Sequence, residues 1–182
     1  MNRDSPVVFF ALVVTAAFLS MAAGDPAIDA SKSSIVATFR EESVPVDAPL
    51  KKFNGRIDYD ASRPTAAKAA LEVDTGSLDL GSPDYDSEVR NKEWLDSGTY
   101  PKATFISTAV KPTSPGHFDA TGTLTLKGKT QTLTVPVTVS AAGKAMVYDG
   151  AFEISRAYFG IGSKEWNDEV DDKVKVRFHL LQ

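Results

Sequence analysis

Apolar and polar residues alternate along most of the chain from residue 34 onward. The alternating stretches cover 35–39, 53–59, 69–73, 117–126, 133–140 and 173–180. A period of two places the apolar side chains on one face of a β-strand and the polar side chains on the other. Together with two further apolar runs at 103–111 and 145–154, the pattern predicts about eight amphipathic strands.

Turn-forming residues separate the strands in the second half of the chain. Pro115-Gly116, Gly128 and Gly143-Lys144 each stand between two alternating runs. Glycine next to a polar residue or proline is typical of tight β-hairpin turns. The sequence therefore predicts a meander in which the strands 103–111, 117–127, 130–141 and 145–154 follow one another.

One segment has the pattern of a helix instead. Ser82 is a suitable N-cap, Pro83 fits the first helical position, and Asp84 places a negative charge in the first turn. The sequence predicts one short helix over 84–95, which ends before Gly98. Tyr85 and Val89 would face the body of the protein.

Many antiparallel strands with one helix indicate an all-β domain, and two architectures fit the periodicity equally well. A sandwich packs two sheets and fills the space between them with side chains. A closed barrel of about eight strands leaves room for one small ligand. Alternation alone does not distinguish these architectures.

The N-terminal residues have the composition of a targeting segment. Residues 7–23 are almost entirely apolar or small, Arg3 precedes them, and Ala22 and Gly24 are small residues near their end. This layout predicts a signal peptide over 1–24, a mature domain over 25–182, and a periplasmic or secreted location. The alternative is an uncleaved membrane anchor, because about 17 apolar residues are near the minimum that spans a bilayer.

Composition excludes several classes of function. The absence of cysteine removes thiolate catalysis, disulfides and iron–sulfur clusters, and a net charge of −4 argues against nucleic-acid binding. With only His117 and His179, a histidine-based metal site is not expected, and we predict no metal and no catalytic residues. No G-x-S-x-G nucleophile motif occurs. The carboxylates between Glu165 and Asp172 suggest either a calcium site or a solvated acidic turn, and their spacing does not match an EF-hand.

Six motifs in order resemble one known family. They are Phe53-Asn54-Gly55-Arg56-Ile57, residues 73–79 (VDTGSLD), residues 90–95 (RNKEWL), residues 100–105 (YPKATF), residues 122–128 (GTLTLKG), and Ile154-Ser155-Arg156 followed by residues 159–162 (FGIG). Over residues 28–182 the chain resembles the YceI-like family of polyisoprenoid-binding periplasmic proteins.

The resemblance implies an extended, antiparallel, eight-stranded, lipocalin-like β-barrel with one short helix. It also implies storage or transport of a long-chain lipid inside the barrel, such as a polyprenyl diphosphate, a ubiquinone or a fatty amide. The chain departs from the family at residues 90–95, where many members have an Arg-Asp-x-His sequence. This departure affects the contacts with the ligand's head group.

Three groups of residues are candidates for ligand binding. The large apolar side chains on the inward faces of strands would line a cavity, although each of them would serve equally well as filled core. Loop aromatics would cover the mouth of a barrel. Arginines suit a diphosphate because the guanidinium donates two parallel hydrogen bonds, although a surface arginine paired with Glu88 or Asp168 fits the same pattern. The candidates are Phe39, Phe53, Phe105, Phe118, Leu124, Val137, Phe152 and Phe178 for the lining; Trp94, Tyr100, Phe159 and Trp166 for the mouth; and Arg90, Asn91 and Arg156 for the head group.

Two other functions compete with lipid binding. A solid-core barrel would act as an interaction module through a protein partner, using its exposed loop aromatics and the acidic turn at 165–172. A hydrolase or isomerase would need a buried carboxylate or histidine with a shifted pKa, for which the sequence offers no support. A homodimer is possible because edge strands invite pairing. Contact with membrane components is expected only transiently, and no cofactor other than a bound isoprenoid- or quinone-type lipid is expected.

Overall fold

A computed structural model describes residues 27–182, and the predicted signal peptide lies outside the described residues. The described chain forms one nine-stranded sheet in which all neighbouring strands are antiparallel. The strands are β1 (Ser34–Glu41), β2 (Val44–Pro49), β3 (Phe53–Asp58), β4 (Lys68–Asp74), β5 (Lys102–Ser114), β6 (His117–Leu126), β7 (Lys129–Ala142), β8 (Ala145–Ser155) and β9 (Lys173–Leu181).

The all-β, lipocalin-like prediction is confirmed, but the sheet has nine strands instead of the predicted eight. The additional strand is β2, which contains Pro45 and ends at Pro49. Proline cannot donate a ladder hydrogen bond, so it is tolerated in a strand at the edge of a sheet. β2 is such an edge strand, pairing only with β1. The prolines therefore concealed a strand that the alternation analysis did not include.

The predicted meander is present. Strands β5 to β8 are consecutive neighbours, and their bounds differ from the predicted ones by three residues or fewer. Gly116, Gly128 and Gly143 all have positive φ angles, between 67° and 74°. Glycine adopts this conformation without a steric penalty, so it allows the tight reversals between these strands.

The sheet curls so that its two edge strands, β2 and β3, are bridged by short segments. Leu50 and Leu78 form an isolated antiparallel bridge, and Ala27 forms another with Arg56. The side-chain amide of Gln182 completes the edge of β3, because its Oε1 accepts a hydrogen bond from the Ile57 N–H at 2.9 Å. The curled sheet thus encloses an interior, which the β-strands line with alternate side chains.

The predicted helix is shorter than the sequence pattern suggested. Helix α1 spans Pro83–Val89, with Pro83 at its first turn, and the chain then continues in turns to Leu95. Asn91 Oδ1 accepts a hydrogen bond from the Glu93 N–H at 2.9 Å. Such a local side-chain bond competes with the helical backbone pattern and accounts for the early end.

A second short helix, α2, spans Arg156–Phe159. Ser155 caps it by accepting a hydrogen bond from the Tyr158 N–H at 3.0 Å, and Gly160 ends it in the left-handed conformation. A 3-10 helix follows at Lys164–Asp168. None of the helices among residues 27–182 is long and apolar enough to cross a membrane.

The segments between strands cover one end of the curled sheet. A 3-10 helix at Thr75–Ser77 follows β4, and residues 80–100, here called cap 1, lie between this helix and β5. Residues 156–172, here called cap 2, connect β8 to β9. The opposite end, here called the base, contains the turns at Gly116 and Gly143.

Candidate ligand-binding cavity

A cavity of about 590 Å³ extends through the interior of the curled sheet. Strands β1 to β9 contribute its walls, and caps 1 and 2 contribute its upper end. Several inward aromatic side chains, including Phe39, Phe105 and Phe178, are only partly buried although they point away from the outer surface. The interior is therefore an apolar space that the side chains do not fill.

Two glycines make room for this space. A Cβ atom at Gly122 would lie 2.6 Å from a backbone oxygen, and one at Gly150 would lie 2.7 Å from the oxygen of Pro136. The rings of Phe105 and Phe178 lie directly over these two glycines. Because the rings lie against bare backbone, they leave the centre of the interior open.

The wall carries few polar side chains. Thr75 is nearly fully buried, and its hydroxyl donates to the Tyr100 carbonyl at 2.8 Å, so it is already satisfied within the protein. The polar or charged residues of the wall are Glu41, Lys68, Thr75, Glu88, Thr104 and Arg156. A ligand held here therefore makes mainly apolar contacts.

Aromatic residues occupy the cavity near the base. Tyr59 lies in edge-to-face contact with Phe118 and with Tyr148, at centroid distances of 5.5 and 6.2 Å. Burial raises the pKa of Tyr148 to about 12, and the neighbouring Tyr59 and Asp58 contribute to the increase. The Tyr148 phenol, 3% exposed, is thus neutral at neutral pH.

Two tryptophans line the cavity where the caps meet. Trp94 of cap 1 and Trp166 of cap 2 lie 5.2 Å apart between ring centroids. Glu93 joins the same two caps, because its Oε1 accepts hydrogen bonds from the Ser163 N–H at 3.0 Å and from the Trp166 indole N–H at 3.2 Å. Hydrogen bonding from Ser163 holds the pKa of Glu93 below its usual value.

Lys127, in the turn between β6 and β7, ties both caps to the sheet. Its ammonium group donates to the carbonyls of Lys92, Glu93 and Gly160 at distances of 2.6 to 3.1 Å. Three acceptors match the three donors of an ammonium group. Burial lowers the pKa of Lys127, while the negative charges of Asp96 and Glu93 oppose that effect.

Arg156 is buried at the same end, with only 2% of its surface exposed. Its guanidinium donates to the carbonyls of Ile161 at 3.1 Å, Trp166 at 3.2 Å and Val170 at 2.7 Å. It also reaches the Asp171 carbonyl and the Asn167 side chain. This arginine holds the loop of cap 2 in place, and its hydrogen-bonding capacity is largely used by protein groups.

The cavity reaches solvent between cap 1 and the β1–β2 hairpin. Tyr85 on α1 lines the cavity and is 64% exposed, and Glu88 and Glu41 are also exposed while lining it. We call this opening the mouth and define it by Glu41, Val46, Leu80, Tyr85, Glu88 and Val89.

Most of the residues singled out from the sequence lie in the cavity wall. They comprise seven lining candidates, both tryptophans and one arginine. These residues are Phe39, Trp94, Phe105, Phe118, Leu124, Val137, Phe152, Arg156, Trp166 and Phe178. Their contact with a ligand stays a prediction.

The other five lie outside the wall. Phe53 and Phe159 are buried in the packing between elements, and Tyr100 lies against Gly128 at the turn between β6 and β7. Arg90 donates to the Gly76 carbonyl at 2.8 Å, and Asn91 forms the turn after α1. These positions give each residue a contact within the protein.

Sequence reasoning missed part of the wall and all of the mouth. Ile35, Val135, Val176 and Leu180 occupy inward positions of alternating runs, so alternation could have identified them. Glu41, Tyr85 and Glu88 lie at element ends. They line the same cavity only because the fold brings β1 and α1 to it, and no local pattern signals that arrangement.

An antiparallel sheet curled around an apolar cavity is the architecture of lipocalin-like binding proteins. The YceI-like domain model matches residues 27–181. The chain therefore belongs to the YceI-like family.

Solved structures support the same fold. BcnA of Burkholderia cenocepacia is 38% identical, with a TM-score of 0.83 over 85% of this chain and 99% of that one. A polyisoprenoid-binding domain from Saccharophagus degradans is 18% identical, with a TM-score of 0.71 over 85% and 95% of the two chains. At this lower identity the likeness shows the fold alone.

Curated relatives carry the name UPF0312 protein. The relative from Pseudomonas savastanoi pv. phaseolicola is 36% identical over 54% of this chain and 52% of its own length. The relative from Shewanella oneidensis is 33% identical over 70% and 69% of the two chains. In the first of these alignments the chain spans about half the length of the curated relative.

Proposed function

We propose that this protein binds a long apolar chain, of the isoprenoid or a similar lipid type, inside the curled sheet. The observation that carries the proposal is the open apolar cavity of about 590 Å³. A solid-core interaction module would fill this interior with side chains. The polyisoprenoid-binding description of the Saccharophagus degradans domain supports the same class of ligand.

The cavity volume sets the length of chain that fits. At roughly 20 Å³ per non-hydrogen atom in close-packed organic matter, the cavity holds about 30 such atoms. This equals about six isoprene units, so a longer chain would extend through the mouth. The mouth thus determines where the rest of a long ligand, or its head group, meets water.

Burial of this chain accounts for useful affinity without a polar anchor. Ligands of this size reach about 0.3 kcal/mol per non-hydrogen atom once the costs of association are included. About 30 atoms then contribute about 9 kcal/mol, which corresponds to a Kd on the order of 0.1–1 μM. This range suits a protein that takes up and releases its ligand.

We further propose that the protein acts in storage or transport of the lipid, in the periplasm or after secretion. The predicted signal peptide and the periplasmic role that the family resemblance implies motivate this proposal. Binding rather than catalysis is the proposed activity. Among residues 27–182, no group of three or more histidine or acidic side chains is placed to hold a metal ion.

A titration tests the proposal, with Trp94 and Trp166 as intrinsic reporters at the cavity wall. A long-chain prenol or a ubiquinone should change the tryptophan fluorescence saturably, at about one ligand per chain. Ala120→Phe should weaken binding at least ten-fold, because Ala120 lines the cavity. The added ring would take roughly 120 Å³ at the same volume per atom.

The matched control is Thr123→Phe, which adds a similar bulk to the same strand. Thr123 alternates with the inward residues Gly122 and Leu124 and therefore faces outward. This variant should bind as the unmodified chain does. Unsaturable signals, or equal weakening by the two variants, would contradict binding inside the cavity.

A further inference from the structure

We propose that the mouth selects apolar chains that end in a positively charged group and rejects chains that end in an anion. Glu41 at the end of β1 and Glu88 on α1 would perform this selection, since both line the cavity and are exposed. The inference rests on the proposed function, since it concerns the polar end of a ligand whose tail occupies the cavity.

The two carboxylates are placed on separate elements. Glu41 is the last residue of β1, and Glu88 lies in the last turn of α1. Both line the cavity and are exposed. Within residues 27–182, neither side chain forms an ion pair, so each is free to meet a ligand's polar end.

Basic groups near the mouth are turned to other contacts. Arg40 donates to the Ser43 carbonyl through Nε at 3.1 Å and through Nη2 at 2.6 Å. Arg90 donates to the Gly76 carbonyl and lies 3.9 Å from Asp86. Neither arginine lines the cavity. The Arg156 guanidinium does, but backbone carbonyls surround it.

Further acidic residues lie behind Glu41. Backbone hydrogen bonds join Glu42 to Glu169 at 2.7 Å and Asp171 to Arg40 at 2.9 Å. These contacts bring the acidic end of cap 2 beside the β1–β2 hairpin. Three of these four residues are acidic and one is basic, so they add a net negative charge behind the rim.

The exposed ring of Tyr85 adds a second contact for a cation. Tyr85 and Glu88 are three residues apart on α1, so they share one face of the helix. A tyrosine ring attracts a cation that lies over its face. A charged ligand end cannot follow the tail into the apolar interior without a large desolvation cost, so it remains among these groups.

Lys68 is the one lysine of the cavity wall, and it lies at the start of β4, next to the base. An anionic end that paired with Lys68 would therefore lie near the base and not at the mouth. The charges of the wall therefore differ between its two ends, and the mouth is the acidic one.

The expected selection is modest and depends on salt. We take each carboxylate to lie roughly 8 Å from the charged end of the ligand, in a water-like dielectric. Together the two carboxylates then raise the affinity for a unit cation by about five-fold and lower the affinity for a unit anion by the same factor. An amine should therefore bind about 25-fold more tightly than an anion on the same chain. Because the mouth is exposed, the ratio should decrease toward unity between low salt and 1 M salt.

The test uses three ligands with one tail, tetradecylamine, tetradecanol and tetradecyl sulfate, below the concentrations at which they form micelles. Affinities are measured at pH 7 and low ionic strength by competition with a bound fluorescent lipid. The order amine, alcohol, sulfate is expected. In Glu41→Gln/Glu88→Gln, the three affinities should converge while that of the alcohol stays unchanged.

A charge-matched control is Asp119→Asn/Glu153→Gln, which removes two carboxylates that do not line the cavity. This double variant should keep the full ratio of amine affinity to sulfate affinity. A ratio near one in the unmodified chain, tighter binding of the sulfate, or equal loss of the ratio in both double variants would overturn the inference. If none of the three ligands, including the neutral alcohol, binds, the proposed function itself fails.

Discussion

Replacement of Arg156 by methionine separates a structural role of this arginine from a role in binding a head group. Methionine has a similar length and suits an apolar cavity, but it donates no hydrogen bonds. The change would remove the donors for the carbonyls of Ile161, Val170 and Asp171, whereas the Trp166 carbonyl keeps backbone N–H donors. Since Arg156 is 2% exposed, water would not readily replace these donors.

The structure sets the size of the expected effect. A buried polar group that loses its partner costs about 1–3 kcal/mol. With three carbonyls affected and some local relaxation, Arg156→Met should lower the free energy of unfolding by about 3–5 kcal/mol. This is a large share of the roughly 5–15 kcal/mol that stabilises a typical domain.

Urea unfolding followed by tryptophan fluorescence measures this loss as a lower midpoint with an unchanged m value. Arg156→Lys should recover only part of the stability, because an ammonium group cannot reproduce the planar fork of donors. Arg90→Met is the comparison variant. Arg90 is 45% exposed in its side chain and has one strong carbonyl contact, so a loss below about 1 kcal/mol is expected.

The opposite outcome would refute this reasoning. If Arg156→Met kept its unfolding midpoint but lost affinity for every ligand, the guanidinium would be a ligand-binding group. The assignment of Arg156 as a residue that stabilises the loop of cap 2 would then be wrong.

Three further predictions follow from the geometry. Gly150→Ala should lower the free energy of unfolding in urea by about 1–3 kcal/mol, because the new Cβ would clash with the Pro136 carbonyl and the Phe178 ring. The control is Gly98→Ala, where no atom lies within 4 Å of the new Cβ, and it should change the free energy of unfolding by less than about 1 kcal/mol. The Glu93 contact that joins the caps is present above the ordinary glutamate pKa and is lost as the pH falls through its lowered value. The protection of the Ser163 amide against hydrogen exchange, taken relative to the intrinsic rate at each pH, should therefore fall in acid and should be low at neutral pH in Glu93→Ala. Ultraviolet titration should detect a tyrosine that ionises near pH 12, and this transition should be absent in Tyr148→Phe. Because the pKa of Tyr148 is higher in the folded protein than in the unfolded chain, its contribution to the free energy of unfolding is fully present below about pH 10 and is lost as the pH rises toward 12.

Alternation predicted the meander well because each strand from β5 to β8 has one face toward the apolar interior. The sequence of β6 illustrates this, since Phe118, Ala120 and Leu124 line the cavity while Thr121 and Thr123 face outward. The pattern failed at β2, where proline disrupts the usual strand composition. It also failed to end α1 at Val89, because the turn depends on a side-chain hydrogen bond of Asn91.

The cavity wall was more predictable than the polar groups around it. Inward positions follow from local periodicity, so most aromatic candidates line the cavity, and their contact with a ligand stays a prediction. The contacts of Arg156 depend on the loop of cap 2 folding back over it, and no local sequence pattern predicts that fold of the loop. The mouth depends on β1 and α1 lining the same cavity, although Glu41 and Glu88 are 47 positions apart in the chain.

The most direct measurement of the central claim is native mass spectrometry of the protein isolated from its own cells without detergent. The account predicts one apolar adduct per chain, released on denaturation and taken up again by the emptied protein. In Ala120→Phe the adduct should be much reduced, and in Thr123→Phe it should persist. Bare protein that also takes up no prenol, quinone or alkyl chain after isolation would contradict the claim that the cavity binds a lipid.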